Sequence, residues 1–129
     1  MMKLNEDANL GINLIRAYSP DAVTVGAQRL TRPCLIAAQA LVTDWTNGGL
    51  DDLEVDALEA IWPLAPQVVL LGTGARQRFP TAAIRAAFAR RNIALEPMDI
   101  GAACRTYNVL AQEDRAVVAA LFPDPATPS

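Results

Sequence analysis

The chain has 129 residues, 52% of them apolar, enough for one domain with its own core. Fourteen acids against eleven bases leave a net charge of −3, which argues against nucleic acid or an anionic membrane surface as partner, although one stretch can still be locally basic. There is no histidine, so the commonest general base and transition-metal ligand are both missing.

Ile12 to Tyr18 reads as a strand that ends at the turn Ser19-Pro20-Asp21. Val23-Thr24-Val25 alternates and stops at Gly26. Cys34-Leu35-Ile36 follows Arg32-Pro33, and Ala40-Leu41-Val42 continues its apolar character. Asn47-Gly48-Gly49 is a loop. Asp51 with Glu54 three residues on resembles a capping box, and a short helix is expected there. Val55, Leu58, Ile61 and Trp62 would form its inner face and Asp52, Asp56 and Glu59 an acidic one, a solvated face or else a docking surface, with Pro63 and Pro66 ending it. Gln67 to Leu71 is a continuous apolar run, as in a strand covered on both faces. It breaks at Gly72-Thr73-Gly74. A helix begins near Pro80, with Ile84, Ala87 and Phe88 inward, Arg90 and Arg91 at its C-terminal end and Asn92 as a left-handed cap. Ile93-Ala94-Leu95 is the next strand, ended by Pro97. A second helix starts near Asp99 and aligns Ile100, Ala103, Cys104, Tyr107 and Ala111 on one face. Glu113-Asp114-Arg115 turns the chain into a last strand, Ala116 to Phe122.

Strands alternating with helices in the second half imply βαβ units and a parallel or mixed sheet behind a β-rich N-terminal portion. One α/β domain is expected over residues 1–122. A flexible, proline-rich tail is expected over residues 123–129.

The inventory of reactive groups is short. Lys3 is the only lysine and lies in a polar start, so neither a Schiff base nor a phosphate-loop lysine is expected. Ser19 and Ser129 are the only serines, and no G-x-S-x-G exists. Cys34 and Cys104 are far apart, and without histidine they cannot complete a structural zinc site. They read as reduced, intracellular thiols. No signal-peptide pattern and no apolar run of membrane-spanning length is seen, so a cytoplasmic protein is expected. No catalytic residue, metal or cofactor is assigned.

Three features remain. Gly72-Thr73-Gly74, leading through Arg76 and Arg78 towards a helix, has the form of a turn whose bare N–H groups cradle an anion. It lacks the third glycine of a dinucleotide fingerprint and the lysine of a phosphate loop. A tight structural turn is the competing reading. Cys104 stands in the first turns of a helix beside Arg105, which favours a thiolate, yet it falls on the apolar stripe, which favours a core residue. Arg105 and Asn108 share the other face of that helix, and would ring one concave site with Arg76 and Arg78 if the helix borders the glycine turn. Trp45 and Trp62 are either partner anchors or packing residues.

Val68 to Gly74 (V-V-L-L-G-T-G), Phe79-Pro80, Met98 to Leu110 (M-D-I-G-A-A-C-R-T-Y-N-V-L) and Glu113 to Pro123 (E-D-R-A-V-V-A-A-L-F-P) resemble one family. It comprises small bacterial and archaeal proteins of unknown function and includes mitochondrial complex I assembly factor 3. Met98-Asp99-Ile100 and Glu113-Asp114-Arg115 depart slightly from the family's M-D-T and E-G-R. The resemblance implies a compact three-layer α/β domain with a central mixed sheet and no established catalytic residues. It points to a protein-interaction module, an assembly or stability factor with a protein partner. The alternative from the residues themselves is a small-anion or nucleotide-binding protein, or an enzyme, using the glycine turn.

Overall fold

A computed structural model describes residues 11–124. The first ten residues, with Lys3, and residues 125–129 of the expected tail lie outside the described residues. Pro123 and Asp124, placed in that tail from sequence, are anchored. Pro123 is buried, and the Asp124 N–H donates to Pro20 O at 2.8 Å.

Strands β1 (Ile15–Ser19), β2 (Ala22–Val25) and β3 (Gln28–Leu30) form an antiparallel meander. β4 (Cys34–Ala37) and β5 (Ala40–Val42) form a hairpin. After three 3-10 segments come β6 (Val68–Gly72), α1 (Ala82–Arg90), β7 (Ala94–Met98), α2 (Ile100–Gln112) and β8 (Val117–Leu121). The larger sheet has the order β5-β4-β8-β6-β7. β6 pairs parallel with both β7 and β8, while β4 pairs antiparallel with β8 and β5, so the sheet is mixed as expected.

The two crossovers leave β6 for one neighbour and return over it to the other. A right-handed crossover in each direction puts the helices on opposite faces. Strand alternation then builds two cores. Cys34, Ile36, Leu70, Ala119 and Leu121 face α2 and the three-stranded meander. Leu35, Val69, Leu71, Val118 and Ala120 face α1 and the 3-10 segments. The result is the three-layer α/β architecture.

Several local expectations are corrected. The helix expected from Asp51 is instead three 3-10 segments, Leu50–Asp52, Val55–Ala60 and Trp62–Leu64. Leu53 is extended between the first two, and Pro63 stands in the third, so no α-helical ladder can run through. The Asp52 carboxylate accepts from the Gly49 N–H and caps the first segment. Leu58 and Ile61 are fully buried, while Val55 is 39% exposed. Asp52, Asp56 and Glu59 are exposed, as a solvated face requires. β3 was not legible, since Gln28 and Arg29 carry no apolar signal.

Pro97 does not end β7 but sits inside it. β7 is the sheet's edge, where a missing N–H is harmless. Ala94 N–H donates to Gln67 O and Met98 O accepts from Thr73 N–H, so those residues face β6. Alternation turns the backbone of Leu95 and Pro97 outward. The Gln77 amide donates to Pro97 O at 2.9 Å, which blunts that edge further.

Asn13, which carried no signal in the sequence, ties the layers together. Its N–H donates to Ala38 O, and its side-chain amide donates to Ala37 O and Ala40 O across the β4–β5 turn. Its own carbonyl accepts from the Tyr107 hydroxyl at 2.8 Å.

Candidate functional site

The turn Gly72–Arg78 lies at the C-terminal end of β6, where the crossovers diverge and α/β sheets commonly admit ligands. Here the position is filled from within. The Thr73 side chain is buried, its hydroxyl within hydrogen-bond distance of Arg76 O (2.7 Å) and Met98 O (3.1 Å), and it accepts from the Arg78 N–H. That hydroxyl gathers the loop as a bound anion would. Gly74 has φ +86°, a left-handed conformation suited to glycine, and a Cβ there would collide with the Asp124 carboxylate. The same carboxylate accepts weakly from the Ala75 N–H at 3.4 Å. The chain's own acid thus stands where an external anion was expected.

The turn does meet the start of α2, for the Ile100 N–H donates to Gly74 O at 2.8 Å. The polar side chains nevertheless diverge. Arg78 pairs with Asp51 at 2.6 Å, in a cleft of about 400 Å³ that also holds Arg32, Asp52 and Asp124. Arg32 in turn is paired with Asp44. Arg76 is exposed. Arg105 donates to the Tyr18 hydroxyl at 3.0 Å and lies over the Tyr18 ring, and these contacts raise its pKa further above the ordinary range. Asn108 makes a reciprocal pair with β1, accepting from the Ile15 N–H and donating to Ile15 O, both at 2.9 Å. The single ring of Arg76, Arg78, Arg105 and Asn108 expected from sequence is not formed. Arg78 is held on the cleft side, whereas Arg105 and Asn108 clasp the meander.

Cys104 and Cys34 are both fully buried, and burial pushes each thiol up to about 12. Arg105 lowers the Cys104 value, but desolvation outweighs it. The reactive-thiol reading of Cys104 therefore gives way to a core residue. Neither thiol is expected to alkylate in the native protein at neutral pH. Both should label once it is denatured, as intact-mass spectrometry would read. The two thiols also set an alkaline limit. The unfolded chain releases these protons near the ordinary 9.0, the native state only near 12. Between those values the unfolded state binds fewer protons. Their stabilising contribution is complete below about pH 9 and lost as pH rises towards 12, which urea titrations across that window would show.

Both tryptophans are half-buried packing residues. Trp45 donates its indole N–H to Ala57 O and packs its ring, tilted by 55°, against Phe122. Trp62 meets Phe88 edge-on and carries the Arg91 guanidinium at 4.2 Å from its ring. Among the described residues no cluster of His, Cys, Asp and Glu has metal-binding form, and no helix is long and apolar enough to cross a membrane.

Fold and site together define a three-layer α/β domain whose most conspicuous polar groups are engaged by its own backbone and side chains. The chain belongs to the family described as "Protein of unknown function (DUF498/DUF598)", matched over residues 15–122. It is 34% identical over 125 residues to the NADH dehydrogenase [ubiquinone] 1 alpha subcomplex assembly factor 3 of Danio rerio, covering 95% of this chain and 71% of that one. The Bos taurus protein of the same name is also 34% identical over 113 residues, covering 86% of this chain, which spans only 61% of its length. A solved structure from Xanthomonas campestris matches with a TM-score of 0.82 and 35% identity over 99% of both chains. These matches bear out the family resemblance read from Val68–Gly74 and Met98–Leu110.

Proposed function

We propose that this chain is a non-catalytic protein-interaction module that assists the assembly or stability of a protein complex. The observation that carries the reading is its 34% identity, over nearly its whole length, to relatives named as assembly factors. The geometry supports it, because the groups singled out for chemistry are engaged structurally. Thr73 closes its own loop, Asn108 holds β1, and Cys104 is sealed in the core. The reading is of a cytoplasmic protein, which two buried, unbridged thiols suit.

The test is to tag the protein at its native level, crosslink in its own cells and identify what co-purifies. A defined complex, recovered repeatedly, is expected. Recovery of the protein alone, together with a rise in melting temperature on adding phosphate or nucleotides, would instead make it an anion binder. A ligand at about one hundred times its dissociation constant stabilises by roughly 2.7 kcal/mol, a shift readily seen.

A further inference from the structure

The face of the molecule formed by α1 and β7 carries an exposed groove that no contact among the described residues fills. Phe79, Arg85, Phe88, Ile93, Leu95 and Pro97 line a volume of about 330 Å³. Phe79 is 65% exposed, the most exposed large apolar side chain among the described residues. Phe88, only 2% exposed, supports the groove from the core.

The charge around this groove is one-sided. From Ala60 to Leu95 the sequence holds five arginines and no aspartate or glutamate, and of these Arg78 is engaged by Asp51 in the other cleft and Arg91 by the Trp62 ring, whereas Arg85 lines the groove. That concentration belongs to a protein whose net charge is −3. Arg85 lines the groove itself, and among the described residues no carboxylate does. Glu96, the next acid along the chain, alternates onto the other face of the sheet from Leu95. The edge of β7 is blunted against strand addition, because Pro97 has no N–H and its carbonyl accepts from Gln77. A partner is therefore recognised by side chains, not by extending the sheet.

We propose that the α1–β7 groove docks an acidic segment of a partner protein, which seats an apolar side chain against Phe79 and Leu95 and sets carboxylates beside Arg85. The apolar insertion supplies the buried contact, and Arg85 selects an acidic flank. The inference rests on the interaction-module reading and adds to it the surface and the partner's chemistry.

Photo-crosslinking in the protein's own cells tests it, with Phe79→p-benzoylphenylalanine in the groove and Val109→p-benzoylphenylalanine as comparison. Val109 is 53% exposed on α2, across the sheet, so both substitutions leave the core intact. The crosslinked peptide is then sequenced by mass spectrometry. Position 79 is expected to capture a segment of another protein rich in aspartate and glutamate beside apolar residues. Adding Arg85→Glu should cut the yield about tenfold, since it sets like charge against the acidic flank. Capture of a second copy of this chain, of a segment without acids, or a yield unchanged by Arg85→Glu overturns the proposal. Crosslinks from position 109 alone remove the groove but leave the interaction reading standing. Absence of crosslinks from either position also removes the groove, while the co-purification experiment decides the interaction reading separately.

Discussion

Tyr107→Ala is expected to lower the unfolding free energy by about 3–5 kcal/mol, the range for deleting a buried aromatic ring. For a domain of this size that is a fall of roughly 10–20 °C in melting temperature. Tyr107 is fully buried at the centre of the α2 stripe, and its hydroxyl donates to Asn13 O at 2.8 Å. Asn13 in turn holds the β4–β5 turn through Ala37 O and Ala40 O. The alanine variant therefore opens a cavity and strips a partner from the residue joining two layers. Tyr107→Phe separates these effects. It keeps the ring and leaves only the Asn13 carbonyl unsatisfied, a cost of about 1–3 kcal/mol. Urea unfolding followed by circular dichroism measures both. If Tyr107→Ala cost no more than Tyr107→Phe, the packing role assigned to the ring would be wrong.

Gly72→Val should be the second large loss, and here the cause is crowding. Gly72 ends β6 beneath the first turn of α2, with its carbonyl accepting from the Phe122 N–H at 2.8 Å. A Cβ at that position would meet Leu121 Cδ2 at 2.6 Å, Ala103 Cβ at 3.1 Å and Ile100 Cγ1 at 3.4 Å. Leu121 and Ala103 are both fully buried, so any shift of the Leu121 side chain must be taken up by the packed core around it. Overpacking of this kind costs about 1–3 kcal/mol, and valine, with two more methyls than the contact itself, should reach the upper end. Leu121→Ala in the same chain makes room, so the double variant is expected to lose less than the sum of the two single losses. Simple additivity in that cycle would show that the glycine is not required by close approach. It would also return the Gly72-Thr73-Gly74 turn to the list of ligand sites.

The groups that suggested chemistry are instructive because each has two readings that only distance separates. Asn108 on a polar helix face looks the same in sequence whether it awaits a ligand or grips a strand. Its partner, Ile15, is 93 residues away. Arg78 beside a glycine turn suggests an anion until Asp51 appears at 2.6 Å, brought there by the 3-10 segments. Asp124 was read as tail, and only the return of the chain after β8 carries its carboxylate to Gly74. The groove between α1 and β7 was invisible for the same reason. Phe79 reads as one more apolar residue before a helix, and its exposure depends on where β7 comes to lie.

What the sequence determined by itself was local and periodic. The unbroken run Val68–Leu71 gave a strand buried on both sides, and Asp99 gave the N-cap of α2, accepting from the Ala102 N–H. The stripe Ile100, Ala103, Cys104, Tyr107 and Ala111 is buried as its spacing required, and Asn92 takes the left-handed φ of 57° that ends α1. These follow from steric and capping preferences acting over a few residues. The tertiary structure alone decided that Pro97 lies within an edge strand, that residues 50–64 wind as 3-10 segments, and which acid each arginine meets. Such outcomes depend on strand order and on partners distant in sequence. The pairing energy resides in contacts between segments, and neither segment alone carries a periodic trace of the other.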